Sequence, residues 1–397
     1  MVSVVSMFQS SSQIQVLHVW DNRVDSGTNI DDRLSKMPLD QLSVSRVLVQ
    51  SGKASDLSQS ALYHLEKMAS PFPTNIFTRQ ISKVKFLRLL KSEIRKYKPD
   101  VIYFHFGQTA ASLIKHTARF RIPFIVAFYG HDISVALHQR RWRRKYKVFT
   151  KVDAEFLVLS NDVKDRVVGI GIAPSRITIY NYPLLLTPYL NVQKAIDRQA
   201  FTITIPGRLV EKKGHFILFK ALQILNQQGI RPNLRVLGYG NDWAKFKSAA
   251  TEAGLDDQVK WIDTAAVTIQ GDFDEAYGEV LASTDLVVLP CITSSDGDDE
   301  AGPALVLCLA QASGTPVLTT PFAGHEVSIL DQETGFLAAE GDPVDLATKI
   351  VWCIDHPDKV AKISEAGREY VQKVFDQEIN LNKIFNVISA QAAKSPW

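Results

Sequence analysis

Two loops concentrate charge where an apolar run gives way to a helical pattern. In "FTITIPGRLVEKKGHF" the run ends at Pro206-Gly207, and Arg208, Lys212, Lys213 and Gly214 precede an apolar helix pattern. Backbone N–H groups in such a glycine-bracketed loop can converge with cationic side chains on phosphate. Arginine suits bidentate contact with phosphate oxygens, and lysine supplies a compact charge. In "VVLPCITSSDGDDEAGPALVL" a second run empties into Asp296, Asp298, Asp299 and Glu300, followed by Gly302, Pro303 and another helix pattern. Asp296-Gly297-Asp298 could be a D-x-D metal site serving a sugar-nucleotide diphosphate. An EF-hand-like calcium loop is excluded, because its glycine falls one place late and its twelfth position is Leu307. The carboxylates could instead accept hydrogen bonds from sugar hydroxyls, or simply cap a helix N-terminus. "VLGYGND" adds Gly238 and Gly240 as a G-x-G without its third glycine, which suits a tight turn as well as a nucleotide contact.

The first half offers a different set. "YFHFGQ" carries His105 and Gly107, and "AFYGHDIS" carries Tyr129, Gly130, His131 and Asp132, each directly after an apolar run. Six lysines and arginines crowd Arg140–Lys147, and Trp142, Tyr146 and Phe149 recur at i, i+4 and i+7 on one helical face. That is the composition of an interfacial helix on anionic lipid. It is equally that of a solvated basic helix whose aromatics pack on a sheet. Nothing else favours nucleic acid, since the net charge is only +3.

The elements that must hold these loops alternate almost from end to end. "IQVLHVW", "SRVLVQ", "DVIYFHF", "PFIVAFY", "EFLVLS" and "ITIYN" are strand-like, with helical segments such as Lys83–Tyr97 and Ala110–Phe120 between them. After a polar linker at Thr187–Gln199 the pattern restarts with "FTITIPG", "LRVLGYG", "QVKWID", "DLVVLP" and "PVLTT", and with helices over Gly214–Gln228 and Trp243–Ala253. Alternation of apolar strands with helices predicts parallel sheets covered on both faces. Two such series in 397 residues predict two Rossmann-like doubly wound α/β domains, 1–186 and 200–377, with a helix over about 378–397 packing back on the first. Ligands in that architecture bind beyond the carboxyl ends of strands, which is where the loops above lie. The three cysteines are too scattered for a disulfide framework or a zinc site. No apolar run approaches bilayer-spanning length, and the N-terminus lacks a basic region followed by an apolar stretch, so a cytoplasmic protein is expected.

Together these motifs resemble the glycosyltransferase family four enzymes of GT-B fold, especially those of bacterial exopolysaccharide synthesis such as the colanic acid biosynthesis glycosyltransferases. "PGRLVEKKGH" is similar to the family's donor-phosphate loop, and "DGDDEAGPALVLCLAQASGTPVLTT" to its E-x7-E segment. "HFG…FYGHDIS" is similar to its acceptor-side loops, and "HEVSILDQETGFL" more loosely to a later stretch. The resemblance implies two domains facing a cleft and retaining transfer from a nucleotide-diphosphate sugar to a saccharide or lipid-linked acceptor. It implies no metal and no cofactor beyond the donor substrate. Arg208, Lys213 and Glu300 would act on the donor, with Gly207, Gly238, Ala301, Gly302, Pro303 and Cys308 lining it. His131 and Asp132 would act on the acceptor side, with His105, Gly107, Tyr129 and Gly130 around them. Separately, the composition of Arg140–Lys147 allows a contact with the inner membrane face. Two positions depart from the family: its second glutamate falls on Cys308, and its usual histidine is Tyr129, with His131 one place before Asp132. These departures keep open a catalytically degenerate GT-B subunit that binds nucleotide or partner. The sequence also leaves open a metal-dependent transferase and a sugar-nucleotide epimerase.

Overall fold

The computed structural model describes residues 14–21, 42–49, 87–88, 90–92, 94–96, 98–194, 200–240, 242–264 and 273–396. Parts of the expected helix Lys83–Tyr97 and of the expected linker Thr187–Gln199 lie outside the described residues. Contacts divide the chain into two compact units. One comprises Met1–Val158, Arg166–Tyr180 and Leu381–Trp397, the other Leu159–Asp165 and Asn181–Asn380.

The first unit is built on β1 (Ile14–Asp21), β2 (Leu42–Val49), β3 (Val101–His105), β4 (Phe124–Ala127), β5 (Ala154–Val158) and β6 (Ile177–Ile179). They pair in parallel in the order β2-β1-β3-β4-β5-β6. β3 and β4 are buried at every residue, as strands covered on both faces must be. Helix Gly107–Thr117 follows β3 and buries Ala110, Leu113 and Ile114. Arg176 ties the loop before β5 to its start, donating to the carbonyls of Val152 (2.7 Å) and Ala154 (2.8 Å).

The second unit holds β7 (Thr202–Pro206), β8 (Asn233–Gly238), β9 (Val259–Asp263), β10 (Leu286–Leu289), β11 (Val317–Thr319) and β12 (Phe336–Leu337). Again all pairs are parallel, in the order β12-β11-β10-β7-β8-β9. Strand order therefore reverses between β7 and β10. That reversal is the switch point at which connections leave in opposite directions and open a crevice beyond the strand ends. The basic loop follows β7 and the acidic loop follows β10, so both loops emerge at this crevice. Helices Pro343–Asp355, Pro357–Val374 and Gln377–Ala392 complete the chain. Asp342 caps the first of them by accepting from the amides of Val344 and Asp345.

Candidate active site

The two charged loops of the second unit hold each other. Lys213 Nζ lies 2.8 Å from Glu300 Oε2. Lys212 Nζ lies 3.1 Å from Asp298 Oδ2 and 3.4 Å from Glu300 Oε1, and donates to the Asp299 carbonyl at 3.2 Å. Asp296 turns inward on its own loop, accepting from Ser294 Oγ and the Asp298 amide. Both lysines are buried. Burial alone would push the Glu300 carboxyl up, but Lys213, Lys212 and then Arg208 overcome it and hold the group down to about 2. Burial works against the Lys213 ammonium as well, yet Glu300 keeps it above the usual lysine range. The acid in the loop after β10 is thus matched by base from the loop after β7. Arg208 is half-buried beside this pair.

Close backbone packing fixes the loops. At Gly214 (φ 70°) a Cβ would fall 1.8 Å from the Pro290 carbonyl oxygen, and at Gly238 it would fall 2.0 Å from that of Gly207. Gly238 thereby lets the Gly207 turn lie on the end of β8, where the Gly207 amide donates to Leu237 at 2.8 Å. Ala301, directly after Glu300, is fully buried with φ 46°, a conformation disfavoured for a residue with a side chain. Gly302 donates its amide to the Ala323 carbonyl, which pins the turn to the loop after β11. Pro303 and Ala304 lead into helix Leu305–Ala312, whose N-cap has no side-chain acceptor. Its first turn presents backbone N–H groups suited to an anion. Cys308 lies within that helix, fully buried, and burial raises its thiol, so it stays neutral.

In the first unit the loops after β3 and β4 are tied together by Asp132. Its Oδ2 accepts from the Gly107 amide at 2.7 Å, and its Oδ1 from the amides of Gly130 (3.0 Å) and Tyr129 (3.1 Å). Asp132 is fully buried, and burial raises its carboxyl despite these bonds. Tyr146 OH donates to its main-chain carbonyl. His105 Nδ1 and Tyr129 OH are 2.7 Å apart, with their rings stacked, so the two loops also meet through an imidazole–phenol pair. His131 is exposed. Asp132 therefore acts on its surroundings by shaping both loops.

The basic segment forms helix Arg140–Tyr146, with Arg140, Arg141, Arg143, Arg144, Lys145 and Lys147 exposed. Tyr146 and Phe149 are buried against Phe128 and Phe156, so the aromatic stripe belongs mainly to the core. Trp142 alone is half-exposed, flanked by Arg141 and Lys145 over its ring.

The sequence places Lys212 in the basic loop but gives it no partner of its own; the structure pairs it with Asp298 and Glu300. Its signal was the doubled lysine, opposite four acids, but no local pattern says which lysine meets which acid.

Two family models match, Glycosyl transferases group 1 over residues 190–370 and Glycosyltransferase Family 4 over residues 47–181. The amylovoran biosynthesis glycosyltransferase AmsK of Erwinia amylovora is 25% identical over 351 residues, covering 86% of this chain and 84% of the relative. The putative colanic acid biosynthesis glycosyltransferase WcaL of Escherichia coli is 24% identical, covering 74% of this chain and 71% of the relative. Among solved structures, Anabaena Alr3699/HepE in complex with UDP-glucose superposes with a TM-score of 0.73 at 16% identity, covering 95% of this chain and 100% of that one. The sucrose-phosphate synthase of Thermosynechococcus elongatus superposes with a TM-score of 0.78 at 15% identity, covering 96% and 100%. The chain belongs to glycosyltransferase family four, and its two parallel-sheet α/β units are those of a GT-B glycosyltransferase.

Proposed function

We propose that the chain transfers a hexose, with retention of configuration, from a nucleotide-diphosphate sugar to a saccharide or lipid-linked acceptor in exopolysaccharide assembly. The carrying observation is the buried Lys213–Glu300 pair beside Arg208 at the switch point of the second sheet. Cations there suit a diphosphate, and an ionised carboxylate suits sugar hydroxyls. In the transfer, the bond from the anomeric carbon to the β-phosphate oxygen breaks and a bond to the acceptor oxygen forms on the same face. The acceptor's proton passes to the departing phosphate oxygen. Arg208, Lys213 and the amides opening helix Leu305–Ala312 offset the charge that develops on that phosphate. No metal is required in this reading, because Asp298 is engaged by Lys212 and Asp296 by its own loop. The relatives named for amylovoran and colanic acid support the polysaccharide context, and the neighbour holding UDP-glucose supports the donor class. The exposed cations of Arg140–Lys147 support a contact with anionic lipid at the inner membrane face, where a lipid-linked acceptor would be met.

The test is nucleotide release from UDP-glucose, UDP-galactose and GDP-mannose, with polysaccharide or lipid-linked acceptors, with and without chelator. Acceptor-dependent, chelator-resistant release from one donor supports the reading. Loss in chelator would return the D-x-D metal site, and silence from folded protein would leave a nucleotide-binding subunit.

A further inference from the structure

The loop after β7 places two lysines directly before Gly214, both buried and both paired with the acidic loop. They are not equivalent. Lys213 makes one ion pair, to Glu300 Oε2, and its side-chain stem runs within about 3.5 Å of where a Gly207 Cβ would be, directly beneath the turn that presents Arg208. Lys212 instead gathers oxygens from three consecutive residues: the Asp298 carboxylate, the Asp299 carbonyl and the Glu300 carboxylate. Glu300 Oε1 is buried and accepts no hydrogen bond, although Lys212 lies 3.4 Å away. One oxygen of the carboxylate therefore keeps unused hydrogen-bonding capacity while its charge remains balanced.

We propose that Lys212 is a positioning residue for transfer, the resident counter-ion that holds Glu300 and the acidic loop in place when Lys213 turns to the donor diphosphate. This rests on the function proposed above. A diphosphate brings negative charge to Arg208 and Lys213 and competes with Glu300 for the Lys213 ammonium. Without a second cation Glu300 would then be a buried carboxylate with no partner, a state that favours taking up a proton. A protonated Glu300 is a weaker acceptor for a sugar hydroxyl. The charged and titratable groups around Glu300 are Arg208, Lys212 and Lys213 from the loop after β7, Cys291 from the end of β10, and Asp298 on its own loop. Lys212 is the one among them tied to the acidic loop at three points.

The test compares Lys212→Met, Lys212→Gln and Lys212→Arg with the wild-type chain, using whichever of UDP-glucose, UDP-galactose or GDP-mannose the wild type turns over. Binding of the corresponding sugar-free nucleoside diphosphate is measured by calorimetry. Lys212→Met is expected to lower kcat/KM at least roughly tenfold and to move the acid limb of its pH profile up by about one unit or more, the scale of one lost counter-ion. Lys212→Gln should follow it if the methionine variant folds poorly. Lys212→Arg should restore both quantities to within about threefold, and sugar-free nucleotide should bind all variants with similar affinity. A Lys212→Met or Lys212→Gln profile that superimposes on the wild type after uniform scaling overturns the proposal. So does a fall in nucleotide affinity that matches the fall in kcat/KM, because Lys212 would then be a phosphate ligand. Silence of the wild-type chain on every donor overturns the functional reading first, and this inference with it.

Discussion

Asp132→Asn exchanges one carboxylate oxygen for an NH2 group where three backbone N–H donors converge. Whichever way the amide turns, its NH2 faces either Gly107 or the Tyr129–Gly130 pair, and that side loses its acceptor. The less costly arrangement keeps Oδ1 for Tyr129 and Gly130 and gives up the 2.7 Å bond from Gly107. A charge-assisted bond contributes about 1.5–3 kcal/mol, and an orphaned buried N–H costs about 1–3 kcal/mol. Relief from burying a charge offsets part of this, because burial already raises the Asp132 carboxyl. A net cost of about 2–3 kcal/mol follows, or roughly 30- to 160-fold in a local opening equilibrium. Hydrogen exchange read by mass spectrometry measures that equilibrium directly. Peptides covering residues 104–134 should exchange faster by that factor, while peptides from β7 and β10 serve as an internal reference. Asp132→Ala orphans all three amides and should exchange faster still. Protection of residues 104–134 unchanged to within about threefold in Asp132→Asn would refute the view that this carboxylate organises the loops after β3 and β4.

Arg208→Ala should lower transfer at least about a hundredfold with little change in melting temperature, since under the proposed function it removes a cation that offsets charge on the leaving phosphate. Lys213→Ala should lose transfer and also melt earlier, because it leaves the buried Glu300 a counter-ion short; equal melting of the two variants would contradict the pairing. Glu300 has its folded value depressed to about 2, so its ionisation stabilises the fold above the unfolded carboxyl range and that contribution is lost as pH falls towards 2. Glu300→Gln should flatten this acid limb in thermal scans. Gly238→Ala drives a Cβ to 2.0 Å from a backbone oxygen and should cost more than about 2 kcal/mol, whereas Gly229→Ala, with φ 81° and nothing within 4 Å, should cost only about 1 kcal/mol. Cys308→Ala should leave the donor KM within about twofold, because the thiol is sealed in the interior; a tenfold rise would make Cys308 a ribose contact after all.

What the sequence shows of this fold is what short-range physics determines. A strand buried on both faces must be largely apolar, so β3, β4, β7 and β10 announce themselves, and the loops that follow them are where a doubly wound sheet exposes chemistry. The partnerships across those loops are set by strand order instead, and strand order has no local signature. Lys213 and Glu300 are 87 residues apart, and Gly107 and Asp132 are 25 apart, yet each pair is in hydrogen-bond contact. The same limit explains the basic helix. Its spacing gives an aromatic face correctly, but only the position of Phe128 and Phe156 decides that Tyr146 and Phe149 turn inward. The acid-rich loop shows the consequence for function. Read alone, four carboxylates admit a metal, sugar hydroxyls or a helix cap; placed beside β7 by the reversal of strand order, two of them find lysines and a third closes a turn on itself. Charge in a loop at the switch point therefore has to be summed over both strands that flank it before any ligand is inferred. Here that sum leaves Arg208 as the one cation of the two loops without a protein carboxylate at ion-pair distance among the described residues, while Lys213 is held by Glu300 and Lys212 by Asp298 and Glu300.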